Sequence, residues 1–315
     1  MKVFIAGATG VLGRRLVSLL VREGHEVIGM TRTPSKRDLL QELGARPVVA
    51  DALDAEAVHR AIRDAAPDVV VHEMTALSEL GNLRNYERAF AQNARLRSEA
   101  TDILLAASRE VGARRFVAQS FGGYLFGGNG KRVLTEDDAL DAHPPRPFER
   151  ILAADRHLET AVTGAPWIEG IVLRYGLFYG PGTTISLRPP GTHSEGVRKR
   201  QFPIVGDGAG LWSFIHVDDA ASATVAAIER GRRGIYHITD DEPAPATEWL
   251  PGLAAALGAP PPRRVPKWLA RLAAGKAVVV MMTEAHGAAN AKARRELGWE
   301  PKYRTWREGF AHGLG

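Results

Sequence analysis

Short, uninterrupted apolar runs alternate with segments of helical periodicity along the first half of the chain. "KVFIAG" is followed by a helical pattern through Arg22. "HEVIGMTR" precedes a second, from about Ser35 to Leu43. "ARPVVAD" leads into "DAEAVHRAIRDA", and "PDVVVHEM" leads into a long helix from about Asn85 to Val111, after which "RRFVAQS" follows. Strands that are apolar throughout and separated by helices belong in a parallel sheet covered on both faces. Right-handed crossovers then predict an α/β fold with a doubly wound parallel sheet. In the second half, "EGIVLRYG" and "GIYHIT" read as two further strands. Between them, residues 179–210 carry "GPGTT", "RPPGTH" and "VGDGAG", punctuation that predicts a mobile loop or lid. Pro260–Pro262 open a mostly helical C-terminal section. The expected division is a domain at 1–173, completed by about 211–238, with 174–210 and 239–315 forming a smaller unit.

Composition narrows the function classes. The 315 residues allow one large or two moderate domains. The apolar run Ala277–Met282 is far too short to span a bilayer. The N-terminus runs straight into a strand and glycine turn, not a signal peptide, and a cytoplasmic protein is expected. With no cysteine, disulfide and thiolate chemistry are excluded. The net charge is +5, but the basic residues are scattered in short groups such as "RKR" at 198–200, without the aromatic-interleaved stripe of a nucleic-acid binder. A small anionic ligand accounts for the positive charge equally well.

Candidate chemistry starts at the first turn. Gly7, Gly10 and Gly13 are spaced G-x-x-G-x-x-G between the first strand and the first helix. Gly7 permits a tight turn, Gly10 admits a pyrophosphate close to the backbone, and Gly13 lets the helix pack on the sheet. With Thr9, Val11 and Leu12 the turn supplies unpaired amides for a dinucleotide, as in a Rossmann fold. The second strand ends in "VIGMTRTPSKR", without a carboxylate for a ribose 2′-hydroxyl. Arg32, Lys36 and Arg37 there predict NADP(H) in preference to NAD(H), which stays possible. Asp51 and Ala52 follow "PVVA" and are candidates for the adenine end. Asp51 also reads as an N-cap or turn residue.

"GATGVLG", "VVADALD", "RRFVAQS", "LRYGLFYGPG", "SFIHVDDAA", "GIYHITDDEP" and "KARRELGW" fall in order across nearly the whole chain. Together they resemble the extended short-chain dehydrogenase/reductase superfamily, in its NAD(P)-dependent epimerase/dehydratase branch. The resemblance implies a nicotinamide-binding domain, a smaller C-terminal substrate domain and a cleft between them. It also implies a Ser or Thr after the fifth strand, matched by Ser120, and a Tyr-x-x-x-Lys helix in "PFERILAADRHLETAV". If Glu159 matches the glutamate following that motif, Ile151 and Asp155 stand at the tyrosine and lysine positions. None of the six tyrosines has a lysine four residues later. Tyr124 is the candidate replacement, with a cleft-covering aromatic as its other reading, and His143 reads as a surface turn residue. His72 in "HEMTA" is expected to shape the cofactor loop. Glu149, Arg150, Arg156 and His157 are expected mostly to face solvent. Tyr175, Tyr179, Gly180 and Pro181 are placed beside the nicotinamide. Phe178, Trp212 and Phe214 read first as core packing; with Leu177 where many sugar-nucleotide enzymes carry an asparagine, they favour a flatter, more apolar substrate than a nucleotide sugar. His216, Asp218 and Asp219 lack the paired-histidine spacing of a zinc site, and the two aspartates are expected to cap the next helix. No metal is expected.

The reaction expected from these residues is NADPH-dependent reduction of a carbonyl of a small organic metabolite by a monomer or homodimer. Ser120 would polarise the carbonyl, and water or the substrate would supply the proton. The alternatives are a nucleotide-sugar epimerase or dehydratase with bound NAD and a non-catalytic NADP-binding sensor.

Overall fold

The apolar runs become the seven strands of one sheet: β1 (Lys2–Ala6), β2 (Glu26–Thr31), β3 (Arg46–Val49), β4 (Val69–His72), β5 (Arg115–Phe121), β6 (Glu169–Tyr175) and β7 (Gly234–Ile238). The computed structural model describes residues 1–77, 86–123, 125–127 and 130–315. Strand order is β7-β6-β5-β4-β1-β2-β3, and every neighbouring pair is parallel. This is the expected doubly wound α/β fold.

The period-two alternation of β1 shows why both faces must be covered. Val3 and Ile5 pack with α1 (Val11–Arg22), while Phe4 and Ala6 pack on the other face. The helices that follow β2, β3 and β4 are α2 (Arg37–Glu42), α3 (Ala55–Ala65), α4 (Tyr86–Ala89), α5 (Ala91–Arg97) and α6 (Glu99–Glu110). The predicted helix from about Asn85 is thus three pieces. Ser98 lies at the second break, where both its amide and its hydroxyl donate to Ala94 O at 3.0 Å. Further on come α7 (Glu149–Gly164), α8 (Thr192–Arg198) and α9 (Val217–Arg230). α9 packs beside α1, and α3, α6 and α7 cover the opposite face.

The glycine-rich stretch 179–210 is more ordered than its punctuation predicts. It includes α8, and three of its polar side chains, Thr183, Ser186 and Ser194, are buried: Ser186 Oγ donates to Leu314 O at 3.2 Å, and Ser194 Oγ accepts from Ser186 N at 3.0 Å. The C-terminal helices are α10 (Ala246–Ala256), α11 (Lys267–Ala274), α12 (Lys276–Glu284), α13 (Ala291–Leu297) and α14 (Trp306–His312). α10 and α14 close a second apolar cluster containing Tyr179, Phe214, Trp249, Trp306 and Phe310. Among the described residues, no helix is long and apolar enough to cross a membrane.

The direction in which the chain winds across the sheet reverses between β1 and β4. From β1 the chain winds towards β2 and β3, while β4 leads to the other half of the sheet. Ligands of such sheets bind in the crevice at the carboxyl ends of those strands. The first glycine turn and the end of β4 therefore lie side by side.

Candidate active site

The turn after β1 is built for close approach. Gly7 has φ +96°, and a Cβ on it would stand 2.7 Å from the carbonyl carbon and oxygen of Glu73. A Cβ on Gly13 would stand 2.3 Å from Gly7 O, so that glycine lets α1 pack on the turn. Gly10 is exposed, and its Cβ would meet only Gly7 O, at 3.2 Å. Thr9 and Val11 are half-buried, and Leu12 packs into the core, leaving its amide as its contribution. α1 has no side-chain cap and no acidic residue in its first turn. An anion at the amides of Val11, Leu12 and Gly13 would therefore meet no competing carboxylate from this helix. This cradle fits a dinucleotide diphosphate. The Gly180–Gly182 turn folds over α1, where Arg15 donates to Pro181 O and pairs with Asp218. A Cβ on Gly182 would touch Val11 Cγ2 at 3.3 Å.

At the far end of the crevice, Thr31 is buried and Arg32 and Lys36 are exposed, Lys36 in a 3-10 turn (Pro34–Lys36) that leads into α2. Asp51 Oδ1 accepts from Leu53 N at 2.9 Å, the Asx-turn reading of that residue, and Ala52 is buried beside it. The N-cap of α3 is Asp54, which accepts from Ala57 N.

The reaction end departs most from expectation. Ser120 is 1% exposed, and its hydroxyl donates to Glu159 Oε1 at 2.8 Å. It faces the buried side of α7, not an open cleft. Glu159 also takes a two-pronged contact from Arg174, Nε to Oε1 at 2.7 Å and NH2 to Oε2 at 2.6 Å. Arg174 NH1 reaches His237 Nε2 at 3.2 Å, and His237 Nδ1 faces Ala289 O at 3.2 Å. Burial, reinforced by the Arg174 charge, holds His237 down to about 3, so the ring is neutral and accepts from Arg174. Asp155 is buried too, and takes a 2.6 Å contact from Arg97 of α5. Burial pushes the Asp155 carboxyl up, opposed chiefly by the Arg97 charge. Ile151, one turn earlier on α7, joins an apolar cluster with Phe126, Phe148 and Met281, which Trp212 also touches.

The side chains of Tyr175 and Tyr179 are turned into the core. Tyr175 is buried, with its hydroxyl 3.1 Å from Glu73 Oε1 and 2.7 Å from Thr224 Oγ1. Tyr179 is buried under α14, where a Cβ on Gly309 would stand 1.9 Å from its hydroxyl. Both are drawn inward because their rings complete apolar layers, on α9 and α14 respectively. Tyr124 lies outside the described residues. His72 shapes its loop as expected: Nε2 faces Leu96 O at 3.0 Å and Nδ1 accepts from Met74 N at 3.3 Å. Burial pulls its pKa to about 4.

His143 is exposed, its amide held by Asp141 in a surface turn. Glu149, Arg150 and His157 are exposed and Arg156 is half-buried. His216, Asp218 and Asp219 go separate ways. His216 Nδ1 caps α9 by accepting from Asp218 N, and Asp219 accepts from the amides of Lys302 and Tyr303 at 2.8 and 3.1 Å. The expected aspartate caps are thus replaced by a histidine cap, which frees Asp219 to anchor the C-terminal segment. Sequence reasoning missed Glu73 and Arg97, and the pairing of Glu159 with Arg174. The one visible signal was an arginine and a glutamate inside otherwise apolar patterns.

The model of the NAD dependent epimerase/dehydratase family matches residues 3–239. The chain belongs to that family. Membership makes it a nicotinamide-dependent enzyme of oxidation and reduction. A Streptomyces protein named 3-diazoavenalumate denitrifying reductase is 46% identical over 98% of this chain and 99% of its own. A Stigmatella aurantiaca relative, 4-hydroxy-2-methyl-3-oxo-4-farnesyl-3,4-dihydroquinoline-1-oxide ketoreductase, is 28% identical over 79% of this chain and 71% of its own. Among solved structures, the family fold recurs in UDP-glucose 4-epimerase of Thermotoga maritima, with TM-score 0.77 at 22% identity, covering 100% of this chain and 97% of that one. It recurs in the dTDP-glucose 4,6-dehydratase of Streptomyces venezuelae, with TM-score 0.76 at 22% identity, covering 100% and 96%.

Proposed function

We propose that the chain is an NADPH-dependent reductase that delivers hydride to a flat, apolar organic acceptor without a tyrosine–lysine proton relay. The observation that carries this reading is Asp155. At the position where the resemblance puts the relay lysine, it is buried and paired with Arg97, one turn from an isoleucine instead of a tyrosine. Residues 7–13 would hold the coenzyme diphosphate. Arg32 and Lys36 would hold a 2′-phosphate, since no carboxylate stands between them to repel it. The bound coenzyme supplies a transferable hydride. The apolar cluster around Ile151, Phe126 and Trp212 would form a wall for the acceptor, with residues 174–210 and 239–315 as the substrate side.

The acceptor favoured is a carbon bearing a diazonium group, which the name of the Streptomyces relative supports. Hydride forms the new C–H bond while the C–N bond breaks, and its electron pair leaves with dinitrogen. Charge balances without a proton, so a site lacking a general acid meets the demand. A ketone is the second reading, supported by the relative named a ketoreductase. Reduction of a ketone leaves an alkoxide that must be protonated, a step that a positioned acid speeds about 10²–10⁴-fold.

The test supplies NADPH deuterated at its transferable position with an aryl diazonium salt or a panel of ketones. Equimolar NADPH loss and dinitrogen release, with deuterium from NADPH at the former C–N carbon, is the expected result. Turnover of ketones alone would establish the second reading, and no turnover of either class would overturn both. Arg32→Glu is expected to lower NADPH affinity about tenfold or more while sparing NADH, measured by fluorescence titration.

A further inference from the structure

We propose that Glu73 is the positioning residue of the dinucleotide turn and that it serves as a neutral acid, its ionisation loosening the grip on the coenzyme. The inference rests on the coenzyme reading above. Glu73 follows His72 at the end of β4, in the crevice where the winding of the sheet reverses. Its amide donates to Ala6 O at 2.8 Å, and its carbonyl lies against Gly7, closer than any side chain there would allow. The Glu73 backbone is thus the floor on which the Gly7 turn rests.

Its side chain runs into the core, where it reaches Tyr175 of β6 and, through it, Thr224 of α9. Glu73 is 6% exposed, and Oε2 has no hydrogen-bond partner among the described residues. The Tyr175 hydroxyl has one proton for two neighbours. The phenol donates to Glu73 Oε1 and lies 2.7 Å from Thr224 Oγ1, which itself reaches Ala220 O at 2.7 Å, so the single phenol proton serves one carboxyl oxygen and none is left for Oε2. An ionised Glu73 would carry charge on a buried oxygen that no donor reaches. The turn would then rest on a residue with an unpaired buried charge beneath it.

The surrounding charges do not neutralise such an anion. Arg97 on α5 favours the ionised form but is paired with Asp155. Arg15 on α1 pairs with Asp218 of α9, and Asp219 points to the amides of Lys302 and Tyr303. His72 is neutral, with its ring turned to Leu96. Burial outweighs the Tyr175 and Arg97 contributions and lifts the Glu73 carboxyl to about 8. A coenzyme diphosphate on the far side of the turn adds negative charge, which disfavours ionisation further. Proton and coenzyme therefore strengthen one another's binding by linkage.

NADPH and NADH dissociation constants measured from about pH 7 to about pH 9.5 test this. The wild-type Kd is expected to rise about tenfold, the equivalent of one unit of pKa displacement between free and bound protein. Glu73→Gln, which copies the protonated carboxyl, should show a flat profile across this range. Tyr175→Phe removes a donor to the ionised form and should move the inflection to higher pH. Melting temperatures establish that each variant is folded. A flat wild-type profile, or the same rise in Glu73→Gln, overturns the proposal alone. Failure of both coenzymes to bind at any pH overturns the coenzyme reading and this proposal with it.

Discussion

Arg174 is a charged residue in the middle of an otherwise apolar strand, tolerated because Glu159 meets its guanidinium on two edges. Removing one partner of such a buried pair leaves the other charge unpaired, at about 3–5 kcal/mol. Glu159→Ala is therefore expected to destabilise the fold by about that amount in urea unfolding. Ser120→Ala removes a hydroxyl bonded to the same carboxylate and should cost about 1.5–3 kcal/mol of stability with kcat retained. A fall in kcat at unchanged stability would return Ser120 to the reacting centre. Ser120 was legible as the hydroxyl at the end of the fifth strand, but its orientation was not. Whether a strand-end hydroxyl faces a cleft or a helix depends on what the helix carries opposite, and Glu159 lies 39 residues away.

At the scale of elements, the glycine turn divides into structural and ligand-facing positions. Gly7→Ala combines a φ of +96° with a collision against Glu73 backbone, and should both destabilise the protein by about 1–3 kcal/mol and abolish coenzyme binding. Gly10→Ala meets only Gly7 O at 3.2 Å and should leave stability within about 0.5 kcal/mol while weakening coenzyme binding. Equal losses of stability in the two variants would contradict this division. The turn could be read from spacing because strand, glycines and helix are contiguous. The helix between β4 and β5 could not: its apolar period continues across Ser98, and only the backbone, with ψ −75° at that residue, marks the break. Likewise, α9 was expected to be capped by aspartates, and the cap went to the preceding histidine.

For the whole molecule, buried titratable groups on both sides of neutrality bound the stable range. Burial holds His72 down to about 4 and His237 to about 3, against an ordinary value of 6.5. Unfolded chains take up protons at these sites first, so their contribution is complete above about pH 6.5 and is lost as pH falls through the folded values. Glu73 works in the opposite sense. It keeps its proton up to about 8 in the fold but loses it near 4.5 when unfolded, so its contribution declines as pH rises between those limits. Asp240, pushed well up by burial, acts in the same direction. The two senses oppose one another between about pH 4.5 and 6.5, so melting temperature should be roughly level there and fall on both sides, and Glu73→Gln should shrink the alkaline fall. A monotonic profile would show that other groups dominate.

The sequence by itself determined the parallel sheet, the dinucleotide turn, the basic residues beyond β2 and the absence of a tyrosine–lysine pair. All four depend on residues adjacent in the chain or on residue identity alone. Tertiary structure decided the rest: Ser120 turned to Glu159, Tyr175 and Tyr179 drawn into the core, Arg97 brought to Asp155, and Glu73 set beneath Gly7. Those outcomes depend on which buried polar group finds a partner from a distant element. A buried charge or hydroxyl left unpaired is costly enough that its partner, and not its place in the sequence, sets the direction in which it points.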